Sequence, residues 1–237
     1  MKKKTRWPIY LIIGLIITFI AFTVPLPYYI EVPGTSEDIR KVLQVNNQPD
    51  QEEGSYQFVT VGVKHARLVD LVYAWLTPFT DIRSAKEMTG GSSDAEFMRI
   101  NQFYMETSQN MAKYQGLKAA GKEIELKYLG VYVLTVTDNS TFKGILNIAD
   151  TVTAVNDKTF ESSKEMVDYV NSQTLGDKVK VTYQEDGKVK TAEGKIITLE
   201  NGKNGIGIGL IDRTEVSSDV PIKFSTAGIG GPSAGMM

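Results

Sequence analysis

The chain has 237 residues, 42% of them hydrophobic and 23% charged, with a formal net charge of −2. That length suits one large or two to three small domains, and the near-neutral balance gives no case for nucleic acid, which would want a clustered basic face. Cysteine is absent and histidine occurs once, at His65. Disulfides, zinc-thiolate sites and a thiol nucleophile are thereby excluded, and a Ser-His-Asp triad would have to draw its base from His65, which its place between a strand and a helix marks as a surface residue.

The first residues carry Lys2, Lys3, Lys4 and Arg6, and no charge follows until Glu31. A run of about 20 apolar residues crosses a hydrocarbon layer as a helix, so residues 7–24 are expected to span the membrane once. Trp7 and Tyr10 at one end, and Tyr28 and Tyr29 at the other, fit an aromatic belt, and the basic flank should stay cytoplasmic with the bulk of the chain outside. A cleaved signal peptide is the competing reading, but the run ends Ala21, Phe22, Thr23, Val24, Pro25, a poor cleavage site.

Residues 28–127 have mixed α/β character. Residues 28–32 read as a strand closed by Pro33 and Gly34, and residues 56–63 as a second strand rich in aromatic and β-branched side chains. Leu68, Leu71, Val72 and Trp75 share one face of a helix that Pro78 ends. Ser93 and Glu96 form a capping box, opening a helix whose packing face carries Phe97, Ile100, Tyr104 and Met111. No catalytic constellation stands out in this region.

Residues 128–199 form the best-defined module. A strand over 128–136 includes Gly130, a turn follows over 139–144, and residues 148–155 return as a strand. Ser162 and Glu165 spell another capping box, with Met166 and Val170 on one face of the helix and Gly176 as its stop. Residues 177–184 alternate with period two, and Asp186-Gly187 signals a hairpin.

Residues 200–237 begin with a turn-rich connection and a new strand pattern at Ile206. Gly207 and Gly209 within that apolar run imply close backbone approach. No Walker-type phosphate loop occurs, so no ATP site is expected. The final stretch runs Gly230, Gly231, Pro232, Ser233, Ala234, Gly235. Glycine permits unusual backbone angles and proline suits a first helical turn, which places Ser233 at a helix start beside free N–H donors, a geometry suited to a nucleophile and an oxyanion site.

Gly-Pro-Ser-Ala-Gly, residues 231–235, resembles the nucleophile motif of the Lon family of Ser-Lys proteases. The resemblance makes Ser233 the catalytic nucleophile and a later lysine its base. No lysine follows Ser233, so that role has no matching position, and the chain by itself is expected not to hydrolyse peptides. Lys223 is the nearest upstream lysine.

The module at 128–199 resembles a PDZ domain of the bacterial type. Leu129-Gly130-Val131-Tyr132, Ile148-Ala149-Asp150, Val155-Asn156-Asp157, the helix of Met166 and Val170, and the hairpin around Asp186-Gly187 carry the resemblance. It implies a peptide groove in which Leu129, Gly130, Val131 and Tyr132 supply the loop and strand, with Met166 and Val170 on the opposite wall.

The whole order is similar to the membrane-anchored, PDZ-containing Lon-like proteases of Gram-positive bacteria. It implies an α+β multidomain chain in four parts. Residues 1–27 are the basic flank and transmembrane anchor, 28–127 an extracytoplasmic mixed region, 128–199 the PDZ-like domain, and 200–237 the incomplete beginning of a Lon-type proteolytic domain. The implied activity is that of a serine endopeptidase at the cell membrane, cleaving secreted or membrane peptides, a peptide pheromone among them, with no cofactor. A non-catalytic, membrane-tethered PDZ module is the alternative.

Overall fold

The computed structural model describes residues 7–226 and 228–232. Ser233 and the basic residues Lys2, Lys3, Lys4 and Arg6 lie outside them. From the N-terminus run α1 (Trp7–Thr23), β1 (Pro25–Asp38), α2 (Ile39–Val42), β2 (Leu43–Val45), β3 (Gln57–Arg67) and α3 (Leu68–Leu76). There follow β4 (Asp81–Ser84), α4 (Ala85–Thr89), α5 (Asp94–Ala119), β5 (Glu125–Val136) and β6 (Thr151–Val155). The last elements are α6 (Ser163–Asn171), β7 (Lys178–Glu185), β8 (Lys188–Lys195), β9 (Ile197–Thr198), β10 (Asn204–Gly205), β11 (Ile208–Ser217) and β12 (Ile222–Phe224). These elements make two compact units, one of residues 1–38 and 55–94, the other of residues 39–54 and 95–237.

The first unit is built on an antiparallel sheet of order β3-β1-β4. Ile30 sits at its centre, paired with Lys64 on one side and Ile82 on the other, and is fully buried. Pro33 and Gly34, expected to close the first strand, lie inside it instead. Pairing runs Pro33 to Val61 and resumes at Ser36 to Val59, a register shift of the kind that tolerates a proline without an N–H. Gly34 is required there, because a Cβ would stand 2.4 Å from Thr60 Oγ1.

The helix α3 ends at Leu76, just before Pro78, as expected. Its first turn is held by Asp70, whose carboxylate accepts from the Arg67 backbone N–H at 2.8 Å and from the Lys64 ammonium at 2.9 Å. Burial pushes the Asp70 carboxyl up, but the Lys64 ammonium and the Arg67 N–H outweigh it and hold the group below its ordinary value.

The helix α1 has 17 residues, none charged and none buried. At 1.5 Å per residue it measures about 26 Å, shorter than the roughly 30 Å of a hydrocarbon core. No helix among the described residues is long and apolar enough to cross a membrane. Tyr29, assigned from sequence to an aromatic belt, is buried in the sheet. Its ring stacks on His65 with centroids 4.3 Å apart, and its hydroxyl donates to Asp94.

The second unit centres on an antiparallel sheet of order β11-β5-β6-β7-β8. Its core gathers Val131 and Val133 of β5, Val152 and Val155 of β6, Met166 and Val170 of α6, and Val179 and Val181 of β7. Phe142, from the loop before β6, is fully buried among them. Asp186 and Gly187 take φ of 47° and 76°, the left-handed pair that joins β7 to β8 in a two-residue hairpin.

In α5 the buried side chains are Phe103, Met105 and Leu117, whereas Phe97, Ile100 and Tyr104 of the expected packing face are half-buried and Met111 is exposed. Phe103 takes the central place because its ring stacks on Tyr132 at 3.7 Å. Residues 200–237, expected to open a separate domain, supply β11 to this same sheet, and β12 pairs with β2 through Ile222 to Val45 and Phe224 to Leu43.

Candidate peptide-binding site

The groove expected between the Gly130 strand and the Met166 helix maps onto β5 and α6. Both elements form for local reasons. Ser162 caps α6, its side chain accepting from the Glu165 N–H at 3.2 Å. The Glu165 carboxylate turns back to the Glu161 N–H at 3.0 Å, one residue outside the reciprocal bond of a regular capping box. Gly130 has φ of +136°, and a Cβ there would lie 2.3 Å from the Val152 carbonyl oxygen. Glycine at 130 therefore lets β5 pass close over β6.

Six residues are assigned to the groove from sequence, four consecutive ones on β5 and two on α6. Leu129 is half-buried at a register shift of β5. Gly130 lies against β6. Val131 belongs to the core, and Tyr132 points to α5, where it stacks on Phe103. Met166 is 2% exposed and Val170 is also buried, both within the same core cluster. The helix wall of the site is thus the edge of a packed core rather than an open apolar surface.

The edge of β5 is not open either. One edge pairs with β6 through Val131 to Val152, and the other carries β11, antiparallel, from Ile208 opposite Val136 to Ser217 opposite Glu125. Ile208 and Leu210 pack against the cluster that contains Met166 and Val170. Two residues on, Asp212 Oδ1 accepts from the Ser163 N–H at 2.8 Å, in the first turn of α6. A carboxylate there meets the free donors and positive end of the helix. Next to it, Arg213 donates to Thr151 Oγ1 at 2.6 Å. Burial, together with the Asp212 and Glu165 carboxylates, pushes the Tyr128 phenol up to about 12, so it stays a neutral hydroxyl beside the helix start.

Sequence reasoning missed Asp212, Arg213 and the whole of β11 as constituents of this site. A signal was present in the alternation of Ile208, Leu210 and Asp212, but nothing local named the strand they would join.

The other residues weighed for chemistry lie elsewhere. Ser233 is outside the described residues. Before it, Gly231 has φ of +91°, and its N–H donates to the Asn101 carbonyl of α5 at 2.8 Å. Lys223 is exposed on β12, opposite Gln44. His65, expected at the surface, is half-buried in β3, with Nε2 2.7 Å from Asp94 Oδ2 and Nδ1 buried without a hydrogen-bond partner among the described residues. The Tyr29 hydroxyl and the His65 ring hold the Asp94 carboxyl below its usual range, while burial and then Asp94 raise Tyr29 to about 12.

An antiparallel sheet whose second strand takes up an extended segment alongside a helix is the architecture of a strand-addition peptide-binding module. The PDZ domain family matches residues 102–196, and this part of the chain is a PDZ domain. The chain is similar to the PDZ domain of the SdrC-like protein from Listeria monocytogenes, with 35% identity over 37% of this chain and 93% of that one and a TM-score of 0.35. It is also similar to the PDZ domain of the SdrC-like protein from Listeria innocua, with 38% identity over 34% of this chain and 92% of that one and a TM-score of 0.33. None of the curated proteins matches the chain.

Proposed function

We propose that this chain recognises extended peptides through its PDZ domain and presents them to a serine endopeptidase centre at Ser233, outside the cytoplasm and next to the membrane. The observation that carries peptide recognition is the pairing of β11 with β5 beside α6. A backbone edge that binds one extended segment through main-chain hydrogen bonds has the chemistry to bind another.

The proteolytic part rests on the resemblance of residues 231–235 to the Lon nucleophile motif. A serine hydroxyl needs a base within hydrogen-bond reach. In a Ser-Lys pair that lysine must be neutral, its pKa lowered from about 10.4 toward 7–8 by burial or a neighbouring cation. Lys223, exposed on β12, lacks the burial that would do this. The resemblance gives the base role to a lysine later than Ser233, a position the given sequence does not contain, and backbone N–H groups around the serine would stabilise the oxyanion. Anchoring is assigned to residues 7–24, with the basic residues at 2–6 inside.

The test uses a chain extended past Met237 into a lysine-bearing segment, kept in its membrane fraction and assayed against unfolded peptides beside its Ser233→Ala variant. Turnover that disappears with Ser233→Ala supports the endopeptidase. Peptide binding without turnover leaves a tethered PDZ module, and an absence of both overturns the proposal. Alkaline extraction of the same membranes tests the anchor, which fails if the chain is released.

A further inference from the structure

The strand on β5 is a segment of the chain itself, and its side chains describe what the site accepts. Backbone pairing alone is indifferent to sequence, so selectivity must come from the side chains that meet fixed walls. Three positions of β11 do so. Ile208 and Leu210, both partly buried, pack against the core cluster to which Met166 and Val170 belong. Asp212 closes on the Ser163 N–H. Gly209, between the two aliphatic residues, faces Thr135 so closely that a Cβ would lie 2.4 Å from its Oγ1. The segment enters from Gly207, whose carbonyl accepts from the Thr137 N–H at 2.9 Å, and leaves toward β12. No free carboxylate is involved, so the site holds an internal stretch of chain.

We propose that β11 is the resident occupant of the peptide site and that the site exchanges it for a partner segment of the same pattern. That pattern is an extended, internal stretch with two aliphatic residues flanking a glycine and an acidic residue two positions after the second. The inference rests on reading β5 and α6 as the peptide site. It adds the ligand class and a built-in competitor, because a tethered segment competes at an effective concentration of about millimolar.

The experiment measures binding of a fluorescent peptide with the sequence of residues 206–217 to the whole chain in three forms. The first is the unaltered chain. The second is Leu210→Asp, which places a charge against the core and unseats β11. The third is the double variant Gly209→Cys with Thr135→Cys. A Cβ at 209 stands 3.6 Å from the Thr135 Cβ, within the spacing of a disulfide, and the chain has no other cysteine to compete.

The peptide should bind Leu210→Asp roughly tenfold or more tighter than the unaltered chain. Oxidised double variant should not bind it, and reduction should restore binding. A peptide with asparagine in place of Asp212 should bind about tenfold more weakly, as for a lost charged hydrogen bond. If Leu210→Asp does not fold, the oxidised and reduced double variant carries the test alone. Binding to the reduced form that ignores the aliphatic, glycine and acidic pattern overturns the ligand class but leaves a peptide site. Equal binding to oxidised and reduced forms places the peptide elsewhere and overturns both this inference and the reading beneath it.

Discussion

The two units use similar residues to opposite ends. In the PDZ-containing unit, buried valines of β5, β6 and β7 close against α6 and Phe142, and that apolar face is removed from water. In the first unit, Val59 and Val61 alternate along β3 yet are 73% and 62% exposed, and Trp75 of α3 is 84% exposed. Strand periodicity creates an apolar face in both cases, but burial requires a second layer to lie on it. The second unit supplies that layer from its own chain. The first keeps these apolar side chains outward, together with an α1 in which nothing is buried. Stability should therefore reside in buried side chains of the second unit and be indifferent to many apolar side chains of the first.

The sharpest way to break this comparison is Phe142→Ala. Phe142 is fully buried, and the ring is so closely held that a Cβ on Gly194 would meet it at 2.5 Å. Loss of about 3–5 kcal/mol is expected, read by denaturant titration of the far-ultraviolet circular dichroism. Both tryptophans, Trp7 and Trp75, lie in the first unit, so their fluorescence reports that unit separately. A loss below about 1 kcal/mol would show that the site collapses around the cavity and that the core is not tightly packed.

Gly130→Ala comes next, at about 2–3 kcal/mol, because alanine is strained at φ of +136° and its Cβ meets the Val152 carbonyl. The same titration reads it, and an unchanged midpoint would mean that β5 does not cross β6 this closely.

In the first unit the largest effect should come from a polar group. Asp70→Asn should cost about 1–2 kcal/mol at neutral pH through the lost charged contacts to Lys64 and the Arg67 N–H. The folded-state pKa of Asp70 is depressed, so its contribution is present above the unfolded value and disappears as pH falls through the folded value. Melting curves of the two proteins, followed by Trp75 fluorescence, should differ at pH 7 and converge in acid. A constant gap down to pH 2 would remove the ion pair from the account.

The smallest change is expected for Val61→Thr. It should stay within about 0.5 kcal/mol in water, as for surface positions away from special features. A loss as large as that of a core valine would reveal a cover over β3 and erase the contrast between the units.

The elements legible in the sequence are those whose cause lies within a few residues. Asp186 and Gly187 adopt the left-handed angles their side chains favour, Ser162 caps α6, and Leu68 to Leu76 is a helix between a capping carboxylate and Pro78. The groove elements were legible for the same reason. What could not be read was which segment lies beside which. Pro33 and Gly34 look like a turn, yet a register shift against Val61 and Val59 absorbs them into a strand. Phe103 rather than Met111 is buried because Tyr132, from β5, stacks on it. The partner of residues 208–217 was hidden most completely. Period-two alternation fixes which side chains share a face, but the choice of edge depends on contacts with distant residues, here Ser163, Thr151 and the Met166 cluster, that only exist once the chain has folded.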